Sequence, residues 1–407
     1  MQLPHFVVRS YAIQGYKKVY DTSVNRTGGS TALPGFLLSG FLFALAGAML
    51  PAWGYHLDPE YSHAGNYFLF LGAGVIVSGF LIRRLTVRVG TLLTAACGLA
   101  WLAMLSLAFV GPPAPAAYRL AGWFVIGLSA GLLNTALFDT IRPLFKQDPA
   151  GTVNLGGVYF GLGCLLSALL LAGTFYLYSV ATILILAALI PGVYGVTYRI
   201  RYRADPQLVT QLPASSVFKD FLSPGAVMFA LLLFFQSGNE WSLAGWLPLY
   251  LIRRLGLSPE ASLSILALYW IALLLGRVIS VYLLTRLRHS RLLLSSASSA
   301  LLGCLLLMFA ANRLGATVGV LLCGAGFAAI YPLVVERIGG RFPYYHPGVF
   351  NSIFSIAIAG GMLAPWIIGI LADSWGAWVV MGLPLIGTLM VVILILLIWL
   401  ESKVTGL

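Results

Sequence analysis

Twelve times along this chain, a run of about 20 residues passes with almost no charge, the length an α-helix needs to cross a bilayer. Inside hydrocarbon every backbone N–H and C=O must find its partner within the protein. A helix does this alone, whereas the strands of a membrane barrel alternate apolar and polar residues. These runs do not alternate. They cover 33–56, 65–84, 90–111, 117–139, 152–174, 176–197, 222–251, 260–284, 291–311, 314–336, 347–371 and 376–400. A composition that is 60% hydrophobic and 9% charged leaves no room for a water-soluble core of this size. The expected fold class is an all-α membrane protein with twelve transmembrane helices.

The basic residues orient it. With the N-terminus inside, nineteen of the 24 Lys and Arg fall in the tails and even-numbered loops. Four (Arg119, Arg253, Arg254, Arg313) fall in the odd-numbered loops, and Arg277 lies within a span. That asymmetry puts both termini in the cytoplasm, and the short loops suit a bacterial inner membrane. The same bias accounts for the net charge of +12, so no nucleic-acid partner is implied. Residues 1–32 lack a signal peptide's order of features and read as a cytoplasmic tail. Cys97, Cys164, Cys304 and Cys323 sit in apolar runs without CxxC spacing and read as packing residues. The five histidines show no metal spacing, so no metal and no cofactor are expected.

The chain repeats itself. "LGAGVIVSGFLIRRL" (71–85) and "LLLGRVISVYLLTRL" (273–287) share six identities at a shift of 202, including Gly74/Gly276, Ser78/Ser280 and Arg84/Arg286. "GLGCLLS" (161–167) and "AGGMLAP" (359–365) correspond loosely at a shift of 198. The polar segment 198–221 separates the copies. We therefore divide the chain into a tail (1–32), a six-helix bundle (33–197), a cytoplasmic linker (198–221), a second bundle (222–400) and a C-terminal tail (401–407). Two similar halves joined by a basic linker are the layout of a rocking secondary transporter. From residue 33 to 400 the sequence resembles the major facilitator superfamily. "GRVISVYLLTRLRHSR" (276–291) is similar to that family's loop between the eighth and ninth helices. The first-half counterpart departs from the pattern, with Arg83 where the family usually has an acid.

"LLLFFQSGNEWSLAGWLPLYL" (231–251) is almost a clean span, yet it carries Gln236, Asn239 and Glu240. An ionised acid at the centre of a membrane helix costs roughly 2.5–3.5 kcal/mol on insertion scales. A polar cavity, a proton or a partner lowers that cost. Gln236 and Glu240 are four apart and share a helix face. Gly238, Gly245 and Pro248 weaken the helix nearby, which is tolerated where backbone lines a cavity. Carboxylate and amide groups bind the hydroxyls of a polyol, and aromatic rings cover its CH faces. Trp241 and Trp246 are on this segment, Tyr269 and Trp270 on the eighth, and Tyr331 on the tenth. Glu240 could carry a proton, help hold sodium, or bind the solute directly. A structural interhelical pair is the competing reading.

The same stretch resembles the seventh helix of the fucose-permease and sodium-dependent glucose-transporter branch, where a Glu is followed by a Gly-Trp pair, as Glu240, Gly245 and Trp246 are here. That resemblance implies an acid in the fourth helix for ion coupling. This chain has Asn134 there, with Asp139 nearer the cytoplasm. Asn154 and Tyr159 in the fifth span and Asn351 in the eleventh complete the expected substrate-binding set. Asp139 is read as a coupling residue or a cytoplasmic latch. Arg277, Arg84 and Arg286 are read as gating residues.

No P-loop, His-Glu-x-x-His helix or Gly-x-Ser-x-Gly elbow is present, so enzyme chemistry is not expected. The expected function is secondary active transport of a small sugar or polyol by alternating access, as proton or sodium symport, by a monomer. The alternatives are a proton-coupled exporter of amphiphilic drugs or metabolites, and a transport-inactive receptor or scaffold of the same fold.

Overall fold

The computed structural model describes residues 26–57, 60–82, 84–110, 115–147, 149–201, 224–284, 286–341 and 347–405. They form twelve helices: α1 (Arg26–Leu57), α2 (Tyr61–Ile82), α3 (Val89–Val110), α4 (Ala116–Gln147), α5 (Pro149–Thr174), α6 (Val180–Arg201), α7 (Pro224–Leu255), α8 (Pro259–Leu284), α9 (His289–Phe309), α10 (Arg313–Arg341), α11 (Pro347–Trp375) and α12 (Val379–Thr405). No strand occurs among the described residues. Eleven helices contain a stretch long and apolar enough to cross a membrane. The twelfth is α7, which carries the polar stretch around Glu240. The protein is a multi-pass membrane protein. Residues 1–25 of the expected tail, most of the expected linker (202–221) and Arg83 lie outside the described residues.

The helices overrun the expected spans, chiefly at the even-loop face: α4 continues to Gln147 and α10 to Arg341. Apolar runs end where hydrocarbon ends, but backbone hydrogen bonding continues into the polar zone. Proline opens α5, α7, α8 and α11, where its missing N–H costs nothing. Gly256 (φ 63°) and Gly376 (φ 84°) end α7 and α11 in the left-handed region, which glycine enters without a Cβ clash.

Both halves pair their helices in the same way. In the first, α1 packs on α5, α2 on α4, and α3 on α4 and α6; in the second, α7 packs on α11, α8 on α10, and α9 on α10 and α12. Three main contacts join the halves: α2 with α11, its pseudo-equivalent α5 with α8, and α1 with α7. The 71–85/273–287 repeat is visible in detail. Ser78 Oγ donates to Val75 O at 2.6 Å and Ser280 Oγ to Arg277 O at 2.8 Å. Arg84 N donates to Leu81 O at 3.0 Å and Arg286 N to Leu283 O at 2.9 Å.

The looser repeat falls one residue from its expected register. A Cβ on Gly163 would lie 1.8 Å from Leu37 O, and one on Gly360 would lie 2.1 Å from Phe234 O. Gly360 stands 197 residues after Gly163, and Phe234 stands 197 after Leu37. The equivalence is set by the glycine that lets two backbones touch, which letter matching within apolar runs does not register.

Large apolar side chains cover the outside, among them Phe80, Phe109 and Ile200, at 61%, 78% and 70% exposure. In water such a surface would drive aggregation; in a bilayer it faces lipid.

Candidate functional site

Glu240 lies halfway along α7. Gln236, one turn earlier, donates from Nε2 to Glu240 Oε1 at 2.8 Å. Gln236 is fully buried and its own Oε1 has no partner among the described residues. Glu240 is only partly buried as a residue.

Aromatic rings from both halves surround this segment. Trp241 lies 5.7 Å from Phe43 of α1, 6.1 Å from Phe160 of α5 and 6.3 Å from Trp270 of α8, centroid to centroid. Phe43 and Phe160 are 5.8 Å apart. Tyr269, 5.0 Å from Trp270, has a buried hydroxyl without a partner among the described residues, and the Trp270 indole N–H has none among them either. The result is a carboxylate and an amide beside an aromatic wall at the junction of α1, α5, α7 and α8. Chemically, such a wall can take the CH face of a polyol, and the polar groups can take its hydroxyls.

Arg277 of α8 enters the same junction. Its guanidinium lies against α5, where a Cβ on Gly157 would sit 2.1 Å from Nη1. Its charge acts on both Glu240 and Cys164. It forms no ion pair with Glu240, whose hydrogen bond comes from Gln236, and its buried Nε has no partner among the described residues.

The odd-loop end of the molecule is sealed. Gly47 of α1 meets α7, where a Cβ would lie 2.4 Å from Ala244 O. Gly72 of α2 lies under Met362 of α11, and Gly65 lies against Gly369. Trp366 Nε1 donates to Asn66 Oδ1 at 3.1 Å. Asp373 of α11 accepts from Ser62 N at 2.9 Å, in the first turn of α2. That turn exposes unpaired N–H groups and the positive end of the helix dipole, so an acid fits there.

The sequence-derived residues thus part company. Glu240, Gln236 and Tyr269 gather at the junction, with Arg277 beside them. Asn239 turns the other way, toward Gly387 of α12, where a Cβ would lie 2.1 Å from Asn239 Oδ1. Trp246 is wholly buried in the odd-end seal: its Nε1 donates to Pro365 O at 2.9 Å, and Tyr61 and Phe68 of α2 pack on its ring. Asn134 and Asp139 are on α4, which packs in the first half against α1, α2, α3 and α5; Asn134 is half-buried there. Tyr159 and Tyr331 are half-buried on α5 and α10. Arg84 and Arg286 are exposed at the even-loop face, Arg286 stacked over the Tyr282 ring. Asn154 on α5 and Asn351 on α11 are placed by their backbones alone, and their side chains lie outside what the structure describes. Sequence reasoning missed Phe43, Phe160 and the Gly157 notch, because Phe and Gly within an apolar run carry no distinguishing signal.

The Major Facilitator Superfamily profile matches residues 153–362, more than half of the chain. The chain belongs to that superfamily. Within it, the chain is 24% identical over 263 residues to the glucose/mannose transporter GlcP of Bacillus subtilis, a match covering 62% of this chain and a little under two thirds (65%) of GlcP. It is 25% identical over 177 residues to a putative glucose/galactose transporter of Helicobacter pylori, covering 41% of each. Among solved superfamily structures, a variant of the E. coli fucose:proton symporter FucP superposes with a TM-score of 0.62 at 17% identity, over 92% of this chain and 99% of that one. The fold is therefore the major-facilitator fold.

Proposed function

We propose that this protein is a secondary active transporter of a small sugar or polyol, working by alternating access as a proton- or sodium-coupled symporter. The observation that carries the reading is the Gln236–Glu240 pair beside the Phe43, Phe160, Trp241 and Trp270 rings where the two halves meet. The names of its relatives, glucose/mannose and glucose/galactose transporters and a fucose:proton symporter, support the substrate class. On this reading the bundles 33–197 and 222–400 rock about the junction as bodies joined by the 198–221 linker. Glu240 couples the ion, with Asp139 as a second coupling acid. Gln236, Tyr269, Tyr159, Tyr331, Asn134, Asn154 and Asn351 face the solute as the cavity opens. Trp246, in the odd-end seal, and Asn239, facing α12, stand away from the solute in the state seen here. Arg84 and Arg286 act at the even-loop gate, which is cytoplasmic.

The test is a panel of radiolabelled sugars offered to the purified protein in proteoliposomes with imposed proton or sodium gradients. Accumulation of a sugar driven by one gradient is expected. Outward movement of lipophilic cations without sugar uptake, or binding without flux, would refute the reading.

A further inference from the structure

We propose that the solute carries a single carboxylate, as a sugar acid does, and that Arg277 is the residue that binds it. This rests on the sugar-transport reading above and narrows it.

Arg277 is not part of the repeated scaffold. Its counterpart at the shift of 202 is Val75, although Ser78 and Ser280 just after them make the same hydrogen bond. The first half builds this turn without a cation, so the fold does not require one. The second half places a guanidinium here, and α5 clears space for it: at position 157 only glycine leaves Nη1 where it is, since any Cβ would intrude to 2.1 Å. Yet the group is not consumed by a partner. Its Nε is buried and unpaired among the described residues, and Glu240 is held by Gln236 instead. Leaving a buried charged donor unpaired costs more than an ordinary lost hydrogen bond. Such a cation, at the mouth of a solute site, fits an anionic group that arrives with the ligand, and guanidinium matches carboxylate in a two-pronged geometry. The neighbouring Trp270 indole N–H and Tyr269 hydroxyl, also without partners among the described residues, ask for acceptors too.

Charge limits the anion to one unit. Glu240 and Arg277 act on each other across this junction, with Tyr269 of α8 and Cys164 of α5 beside them. One cation stands against one acid. In the empty carrier Arg277 offsets Glu240. In the loaded carrier the solute's carboxylate takes Arg277, and Glu240 takes a cation of its own, a proton or sodium. The net charge at the junction is unchanged, so one monoanion and one cation move together without net charge. A phosphorylated sugar would bring a second negative charge with nothing to meet it. A neutral sugar carried with a cation would move net charge.

The experiment compares D-gluconate and D-glucuronate with D-glucose on the wild-type protein in proteoliposomes. Binding is read from tryptophan fluorescence, and flux with and without a potassium–valinomycin potential. The expected result is at least tenfold tighter binding of an acid than of glucose, and acid uptake that does not respond to the potential. Arg277→Gln should reduce the acid-over-glucose preference to near one. Arg277→Lys, which keeps charge but loses the fork, should retain part of it and serves if the glutamine variant fails to fold. Uptake of glucose but neither acid would overturn this inference and leave sugar transport standing. Uptake of none of the three would count against both. An acid preference unchanged in the Arg277 variants, or acid uptake driven by the potential, would overturn the assignment to Arg277 or the charge count.

Discussion

Replacing Gly47 with valine should lock the transporter away from the conformation seen here. Gly47 is where α1 touches α7 across the junction of the halves. A Cβ at this position would lie 2.4 Å from Ala244 O and 2.6 Å from Gly245 Cα, whereas ordinary contact begins near 3.4 Å. The helices must therefore part by about 1 Å. Both opposing atoms are backbone, so no rotamer change relieves the clash. Overpacking of this kind costs about 1–3 kcal/mol, a shift of roughly 5- to 150-fold in a two-state ratio. Because α1 and α7 belong to different halves, the halves can escape by swinging apart at the odd-loop end. Folding should thus survive while closure fails. The assay pairs solute uptake with thiol labelling of Met362→Cys, a side chain 9% exposed that caps Gly72 in the seal. The four native cysteines are buried, which keeps background low. Gly47→Val should raise labelling by an impermeant reagent at least fivefold from the odd-loop side and slow uptake by a similar factor. Uptake and labelling equal to those of the parent would refute the argument that this contact is a closure point.

Three further changes probe other links. Glu240→Gln should abolish accumulation driven by an ion gradient, by tenfold or more, while leaving energy-independent exchange measurable in proteoliposomes; intact accumulation would remove Glu240 from coupling. Asp373→Asn weakens a charge-assisted bond to the first turn of α2, worth about 0.3–1 kcal/mol at a helix terminus, and should raise Met362→Cys labelling by a few-fold at most. Gly127→Val places a Cβ 1.7 Å from Leu71 O within the first half. No movement of the halves relieves it, so it should lower thermal stability in detergent by at least the same roughly 1–3 kcal/mol, where Gly47→Val does not.

Much of the candidate site could be read from residues alone. Glu240 stands out because a carboxylate inside an apolar run is expensive, and the four-residue interval to Gln236 placed both on one face, as found. The same arithmetic separates Trp246: six residues on, it lies about 120° round the helix, and it seals the odd-loop end instead of lining the junction. Asn239 lies about 100° round and faces Gly387 of α12. Phe43 and Phe160 could not be picked out, since nothing in an apolar run distinguishes a ring facing the junction of the halves from one facing lipid.

Sequence by itself determined the number of helices, the repeat and the depth of the acid, because insertion into hydrocarbon depends on the length and polarity of each segment taken alone. Tertiary structure decided which faces meet. A membrane helix is apolar on every side, so its periodicity does not show its partners, and the choice falls to shape: glycines such as Gly47, Gly163 and Gly360 that let two backbones touch, and Gly157, which makes room for Arg277 beside Glu240.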